Sequence, residues 1–484
     1  MMKHILLATL SSLALAACAA GPNYVAPIPA PKAAAPFIGA ANPAFTAAAA
    51  DDHWWRLYRD PVLDGLVADA LAANTDIRVA VARLDKARAS LRGVRSDRLP
   101  QTSIGASGTY GRSPETQRLP GSAAEDSAFD VGLSVSYELD LSGRVKRNIE
   151  AARGDVAAAD ADADAVRVAV VSATTRAYVD AASSAERLEV AKRVVDLLDK
   201  SAALTGKRVA AGRAAKLDQV RITTLRDQRA ANVPAIEAER QAALFRLATL
   251  TGRTPQDLPA AAAARTVTPT LDQAIPVGDG AALLARRPDI RAAERRLAAS
   301  TARIGVATAE LYPQISLGGS VGTAATSIGD LFTGGALRWL LGPLISWSFP
   351  NQEAARARIA GSEADSREAL AEFDGVVLRS LEETETALST YAREIERNAA
   401  LRSARDGAAA AMRITRARQR AGQIDSLDVL DSERTFADTE ADLASSSARI
   451  AGAQIDLFRS LGGGWDKADR AVAVGAKAGG GSGR

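Results

Sequence analysis

The stretch RLDKARASLRGVRSDRLPQTSIGASGTY, Arg83–Tyr110, has a second version in RLAASTARIGVATAELYPQISLGGSVG, Arg296–Gly322. Leu84 answers Leu297, and Leu99-Pro100-Gln101 answers Tyr312-Pro313-Gln314; both copies pass from a helical pattern into an alternating, glycine-dotted one. Farther along, Ala211-Gly212-Arg213 and Leu217-Asp218 pair with Ala421-Gly422-Gln423 and Leu427-Asp428, and the copies close on FRLATLTG and FRSLGGG. The order helix, strands, very long helix, glycine turn, helix thus occurs twice, about 210 residues apart. A period that long marks a duplicated half-domain, not a short solenoid repeat.

The alternating stretches read as strands. In Thr102–Tyr110, Ile104, Ala106, Gly108 and Tyr110 share one face; in Asp130–Leu141, Val131, Leu133, Val135, Tyr137, Leu139 and Leu141 oppose Asp130, Gly132, Ser134, Ser136, Glu138 and Asp140. The second half repeats the pattern with Ile315, Leu317, Gly319 and Val321, then with Trp339, Ile345, Trp347 and Phe349 in Leu337–Phe349. Apolar-out, polar-in alternation over about ten residues fits a membrane barrel, and equally a half-buried strand of a soluble sheet. Tyr and Trp near the strand ends favour the barrel. Four strands do not close one, so several chains must share it, and three chains of four strands give twelve.

Between the strand pairs lies a helical pattern without proline from Gly143 to Ala211, roughly 100 Å of helix at 1.5 Å per residue. Its seam, Ile149, Ala152, Val156, Ala159, Ala163, Val166, Val170, Ala173, Ala177, Ala181, Ser184, Leu188, Ala191, Val195, Leu198, Ala202, Thr205 and Val209, steps by threes and fours. Two fours in succession at Ala173–Ala181 make a stutter in a coiled-coil seam. The counterpart, about Gln352 to Arg420, carries Leu370, Phe373, Val377, Leu381, Thr384, Leu388, Tyr391 and Ile395. Both long helices stop at glycine, Gly212 and Gly422, and the chain returns over about Lys216–Leu250 and Ser426–Leu461. The hairpin tips are expected at the end farthest from the strands.

Composition narrows the class. Aromatic residues make up 4% of 484 residues, and the formal charge of +3 comes from 60 basic and 57 acidic residues mixed throughout, so no nucleic-acid partner is expected. Met1–Ala17 reads as a secretion signal, with Lys3 and His4 ahead of Ile5–Ala17. It ends in Leu15-Ala16-Ala17-Cys18, a lipobox pattern that makes Cys18, the only cysteine, the lipidation site; a plain signal with a chance cysteine is the alternative. No segment reaches the apolar length of a spanning helix, so anything crossing a membrane must be β. Beyond the signal only His53 and Cys18 remain of their kinds, which removes His/Cys catalysis and metal sites, and neither GxxxxGK[ST] nor GxGxxG occurs. No cofactor is expected beyond a covalent lipid, and the chain is not read as an enzyme.

Several stretches together resemble the TolC-like outer-membrane factors of tripartite resistance-nodulation-division efflux pumps, lipoprotein branch. They are LAACAAGPNYVAP (Leu15–Pro27), Trp54–Leu84, YELDLSGR (Tyr137–Arg144), ARRPDIRAAERRL (Ala285–Leu297) and AGQIDSLDVLDSER (Ala421–Arg434). Phe349-Pro350-Asn351-Gln352-Glu353 departs from the family's Gly-rich, basic turn. The resemblance implies a membrane α+β fold: a trimeric twelve-strand outer-membrane β-barrel, four strands per chain, continued by a long α-helical coiled-coil periplasmic tunnel. It implies a lipid-anchored outer-membrane protein of a Gram-negative bacterium, a homotrimer that passively conducts drugs or other toxic small molecules. The partners implied are a periplasmic adaptor and an inner-membrane transporter. The tips, Gly212, Arg213, Leu217, Asp218, Gly422 and Gln423, are expected to dock the adaptor. Asp425, Leu427 and Asp428 are expected at the closed periplasmic aperture, with Asp431 and Arg434 supplying polar contacts that hold it shut. Charge complementing a helix N-terminus is the plainer account of Asp218 and Asp428, and Arg287-Pro288-Asp289 reads as a structural helix start.

The chain therefore divides into signal (1–17), lipidated tether (18–50), helices and belt segment of the first repeat (51–98), barrel strands (99–142) and first tunnel hairpin (143–252). Linker, belt segment and helix of the second repeat (253–311), barrel strands (312–350), second hairpin (351–462) and a C-terminal belt segment and tail (463–484) follow. A type I secretion conduit shares this organisation; a periplasmic adaptor would carry one hairpin and lipoyl-like domains.

Overall fold

The computed structural model describes residues 19–117, 123–271 and 273–464. The signal, Cys18 and the tail beyond Gly464 lie outside the described residues. The chain forms two compact units. One contains residues up to Pro27, Arg83–Asp160 and Arg291–Asp374; the other contains Ile28–Ala82, Ala161–Ile290 and the chain from Gly375.

The first unit holds the sheet. Strands β1 (Gln101–Arg112), β2 (Glu125–Leu139), β3 (Gln314–Ala325) and β4 (Leu337–Ser346) are antiparallel neighbours in the order β1-β2-β3-β4. Directly opposed residues of such a ladder share a face. Ile104–Leu133–Val321–Trp339 is one apolar row, and Leu139–Ile315–Ile345 is another on the same face. Ser103–Ser134–Ser320 and Gly105–Gly132–Gly322 lie on the other face. None of the four strands has a buried residue, so neither face is covered by the chain itself. A soluble half-buried sheet would have one face packed, and this one does not.

Two strand boundaries differ from the sequence reading. β2 starts at Glu125 and ends at Leu139, because Asp140 turns its carboxylate to the next helix and accepts from the N–H groups of Val145 (2.9 Å) and Lys146 (2.8 Å). Trp347 and Phe349 lie past the end of β4, stacked on each other with centroids 4.7 Å apart. Leu344 of β4 lies on the polar face, where it fills the space over Gly318: a Cβ there would stand 2.8 Å from Leu344 Cδ1.

Helices α1 (Pro61–Ala73), α2 (Thr75–Ser96), α3 (Arg144–Ala210), α4 (Lys216–Ala230), α5 (Asn232–Leu250), α6 (Pro288–Ala309), α7 (Glu353–Arg420) and α8 (Ser426–Ser460) make up the rest, with shorter turns between. No described helix is long and apolar enough to cross a membrane. The return of the first hairpin, one continuous helix by its sequence pattern, breaks at Ala231. Pro234 has no N–H to donate and its ring crowds the preceding turn. α8, with no proline, is unbroken.

The core of the second unit gathers around Trp54, fully buried and stacked on Phe458 at 4.8 Å, with Leu63, Leu66, Tyr178, Leu247 and Leu388. Here α3 departs from a one-sided seam: Val170, Val171, Thr174, Thr175, Ala177, Tyr178 and Val179 are all buried, because neighbouring elements cover every face of the helix. Thr174 satisfies its buried hydroxyl within the helix, donating to the Val170 carbonyl at 2.8 Å. Toward the tip Val190 and Val194, outside the expected seam, are buried, whereas Leu370 and Ile395 of the α7 seam are exposed.

The stretch read as an extended tether is packed. Phe37 and Phe45 enter the core, Phe45–Thr46 pairs in parallel with Ile275–Pro276, and the N–H groups of Ile38 and Gly39 donate to Glu385 at 2.6 and 3.0 Å. Phe37 and Phe45, in a largely Pro/Ala-rich run, supply apolar area that fixes it.

Candidate functional site

The polar face of the sheet is built from small residues. Serine and glycine dominate its rows in β1, β2 and β3, and the apolar row residues point the other way. Charge on it is local. Glu138 is bridged by Arg144 through two hydrogen bonds of 2.9 and 2.5 Å, so YELDLSGR is a bend in which one carboxylate holds an arginine and the next caps α3. Arg338 pairs with Asp130.

Residues immediately after Cys18 are seated against the β2–α3 bend. Arg147, 3% exposed, donates to the carbonyls of Ala20 (3.1 Å) and Gly21 (3.3 Å) and to Asn23 Oδ1 (2.7 Å). Tyr24 donates to Glu294 at 2.5 Å. Gly305 makes the close approach possible: a Cβ there would stand 2.7 Å from the Ala20 carbonyl oxygen.

The tips are two copies of one turn. Gly212 (φ 67°) and Gly422 (φ 72°) are left-handed, a conformation that suits glycine. Arg213 N–H reaches the Arg208 carbonyl and Gly212 N–H that of Val209; Gln423 and Gly422 do the same to Arg418 and Gln419. These are paired Schellman caps. Nothing lies within 4 Å of a Cβ built at either glycine, so the tips are open to a partner. Leu217 and Leu427 are half exposed. Asp425 caps α8, accepting from Leu427 N–H (2.9 Å) and Asp428 N–H (3.1 Å), whereas the matching residue of the first repeat, Ala215, offers no cap. Asp218 and Asp428 both lie in first turns, as the helix-dipole account expects. Asp431 is exposed, and its carbonyl accepts from the Thr435 hydroxyl. Arg434 lies 4.0 Å from Asp438, one turn along its own helix, and not against Asp431.

A polar contact the sequence reading did not name lies nearby. Glu433, 1% exposed, accepts from the Ser201 hydroxyl (2.6 Å) and from Arg416 Nη2 (2.7 Å) and Nε (2.9 Å), tying α3, α7 and α8 together. Its signal was present: Val429, Glu433 and Ala437 are spaced by four, and both flanking residues are buried.

Arg287 is structural, as expected. It grips Asp289 with two hydrogen bonds (3.0 and 2.7 Å) at the start of α6, and donates to Glu383 of α7 (2.9 Å) and to the Ser460 carbonyl ending α8 (3.0 Å). Burial opposes its charge, but hydrogen bonding and attraction from Asp289 and Glu383 outweigh that and lift its pKa above the ordinary guanidinium value. Among the described residues no group of His, Cys, Asp and Glu is arranged to hold a metal.

Comparison with known proteins places this architecture. The family model described as "Outer membrane efflux protein" matches residues 66–253 and 281–463. Outer membrane protein OprJ of Pseudomonas aeruginosa is 33% identical over 463 residues, 95% of this chain and 96% of that protein. The toluene efflux pump outer membrane protein TtgF of Pseudomonas putida is 31% identical over 485 residues, covering 96% and 98%. The solved structure of the outer-membrane channel OprN superposes with a TM-score of 0.87 at 36% identity, over 93% of this chain and all of that one.

The chain belongs to the outer membrane efflux protein family. It is the outer-membrane channel of a tripartite efflux system, with the membrane α+β fold in which each of three chains contributes four strands to a shared barrel.

Proposed function

We propose that the channel is a passive duct, with no enzymatic step, that receives toxic small molecules, drugs among them, from an inner-membrane resistance-nodulation-division transporter through a periplasmic adaptor. The observation that carries this reading is the four-stranded sheet, bare on both faces and unpaired along β1 and β4 among the described residues, which needs other chains to complete it and then encloses a Ser/Gly-lined bore. The open glycine turns at Gly212 and Gly422, with Arg213, Leu217, Asp218 and Gln423, are the surfaces offered to the adaptor. Asp425, Leu427, Asp428, Asp431 and Arg434 line the closed aperture, and a diacylglycerol on Cys18 supplements the barrel as anchor.

The test is dye accumulation in a strain lacking this gene and its redundant counterparts, with and without the gene restored. Restored export, together with a detergent-corrected mass near three chains, supports the reading. Accumulation that does not change when the gene returns overturns it.

A further inference from the structure

The bore-facing row Gly105–Gly132–Gly322–Arg338 crosses all four strands and carries a single side chain larger than hydrogen. Arg338 uses the space the glycines leave. It lies across Gly322 of β3, its Nη2 stands 3.9 Å from where a Cβ of Gly132 would be, and it pairs with Asp130, one row farther along β2. A Cβ at Gly322 would come within 2.3 Å of the Val131 carbonyl oxygen, so the close approach of β2 and β3 under the guanidinium requires glycine there. The remaining strand charges on this face are Glu138, bridged by Arg144, and Asp126 near the β1–β2 connection, whose carboxylate accepts from Ser127 N–H. Both members of the Arg338–Asp130 pair keep substantial exposure, with side chains 53% and 39% accessible, so a solute in the bore meets them.

We propose that Arg338 and Asp130 set the fixed charge of the outer bore, the guanidinium cancelling the carboxylate two strands away, so that organic anions and organic cations both pass this level. Without Arg338 each chain presents Asp126 and Asp130 uncancelled, six carboxylates per trimer. Without Asp130 each guanidinium keeps only the more distant Asp126 as counter-charge. Low-dielectric walls focus such fields on whatever enters.

The inference rests on the channel reading, and the test separates the two. Purified trimer in planar bilayers is titrated from the barrel side with hexaamminecobalt(III) or with hexacyanoferrate(II). Arg338→Gln is expected to strengthen block by the trivalent cation roughly tenfold, and Asp130→Asn to strengthen block by the anion by a similar factor. Arg338→Lys, which keeps the charge, should behave as the parent. The double variant Asp130→Asn/Arg338→Gln loses the contact across β3 yet should approach the parent in its response to both blockers, which a purely structural role does not foresee. Parent-like block in both single variants, with trimer and conductance intact, overturns the inference alone. A trimer that conducts no current even with Asp425 and Asp428 reversed overturns the channel reading.

Discussion

Glu433 and Arg416 face each other across the second hairpin at 2.7 Å, the carboxylate 1% exposed and also holding the Ser201 hydroxyl of the first hairpin. Removing one partner of a buried charged pair leaves the other uncompensated. Glu433→Gln is expected to cost about 2 kcal/mol, the scale of hydrogen bonds to a charged group, and to loosen α7 and α8 from α3. Thermal unfolding and single-channel conductance read the two effects; a variant equal to the parent in both would show that the tie does not hold the tip.

The unequal caps of the two tips make a second experiment. Asp425→Ala removes the acceptor of two N–H groups and should cost about 1 kcal/mol locally. Amide exchange over residues 427–430 should quicken while that over 217–220 stays as it was. Ala215→Asp should slow exchange in the first turn of α4, and an unchanged rate would argue against a capping contribution there.

Reversing the charge of Asp425 and Asp428 together is expected to raise conductance, since both belong to the proposed aperture. Conductance as low as the parent's would remove them from it.

The two faces of β2 should answer differently to the same substitution. Leu133→Arg puts a guanidinium on the lipid face and should cost about 2–4 kcal/mol near the bilayer midplane. Ser134→Arg, one residue along, points into the bore and should assemble as the parent does. Heat-resistant trimer on unboiled gels distinguishes them; equal loss in both would mean the face assignment is wrong.

Alkaline pH probes the core of the second unit. Burial raises the pKa of Tyr58, of Tyr178 and of Tyr391; at Tyr178 a hydrogen bond to Asp60 adds to the effect. A folded-state pKa above the unfolded phenol value of about 10 means the stabilisation is fully present below that pH and is lost as pH rises above it. The thermal midpoint should therefore fall above about pH 10, and Tyr58→Phe should fall less steeply than the parent. Parallel curves would show that Tyr58 is not among the groups responsible.

Local chemistry was legible in the residues themselves. The glycines that end α3 and α7, the start of α6 at Pro288-Asp289 and the alternating faces of β1–β4 follow from steric rules and periodicities acting over a few residues. The duplication let each half check the other. It also misled where the halves differ: Pro234 breaks one return helix, and Asp425 caps a turn that Ala215 leaves bare.

The sequence by itself determined the elements, their order, the apolar face of each strand and the position of both hairpin turns, because each is encoded within one or two turns or one strand's alternation. Only the tertiary structure decided that Arg338 crosses Gly322 to Asp130, that Glu433 joins three helices, that Arg287 ties α6 to α7 and to the end of α8, and that Phe37 and Phe45 pack the N-terminal segment down. Those partners lie tens to hundreds of residues apart along the chain. Their meeting depends on strand register and on which helix faces are covered, and no local periodicity specifies either.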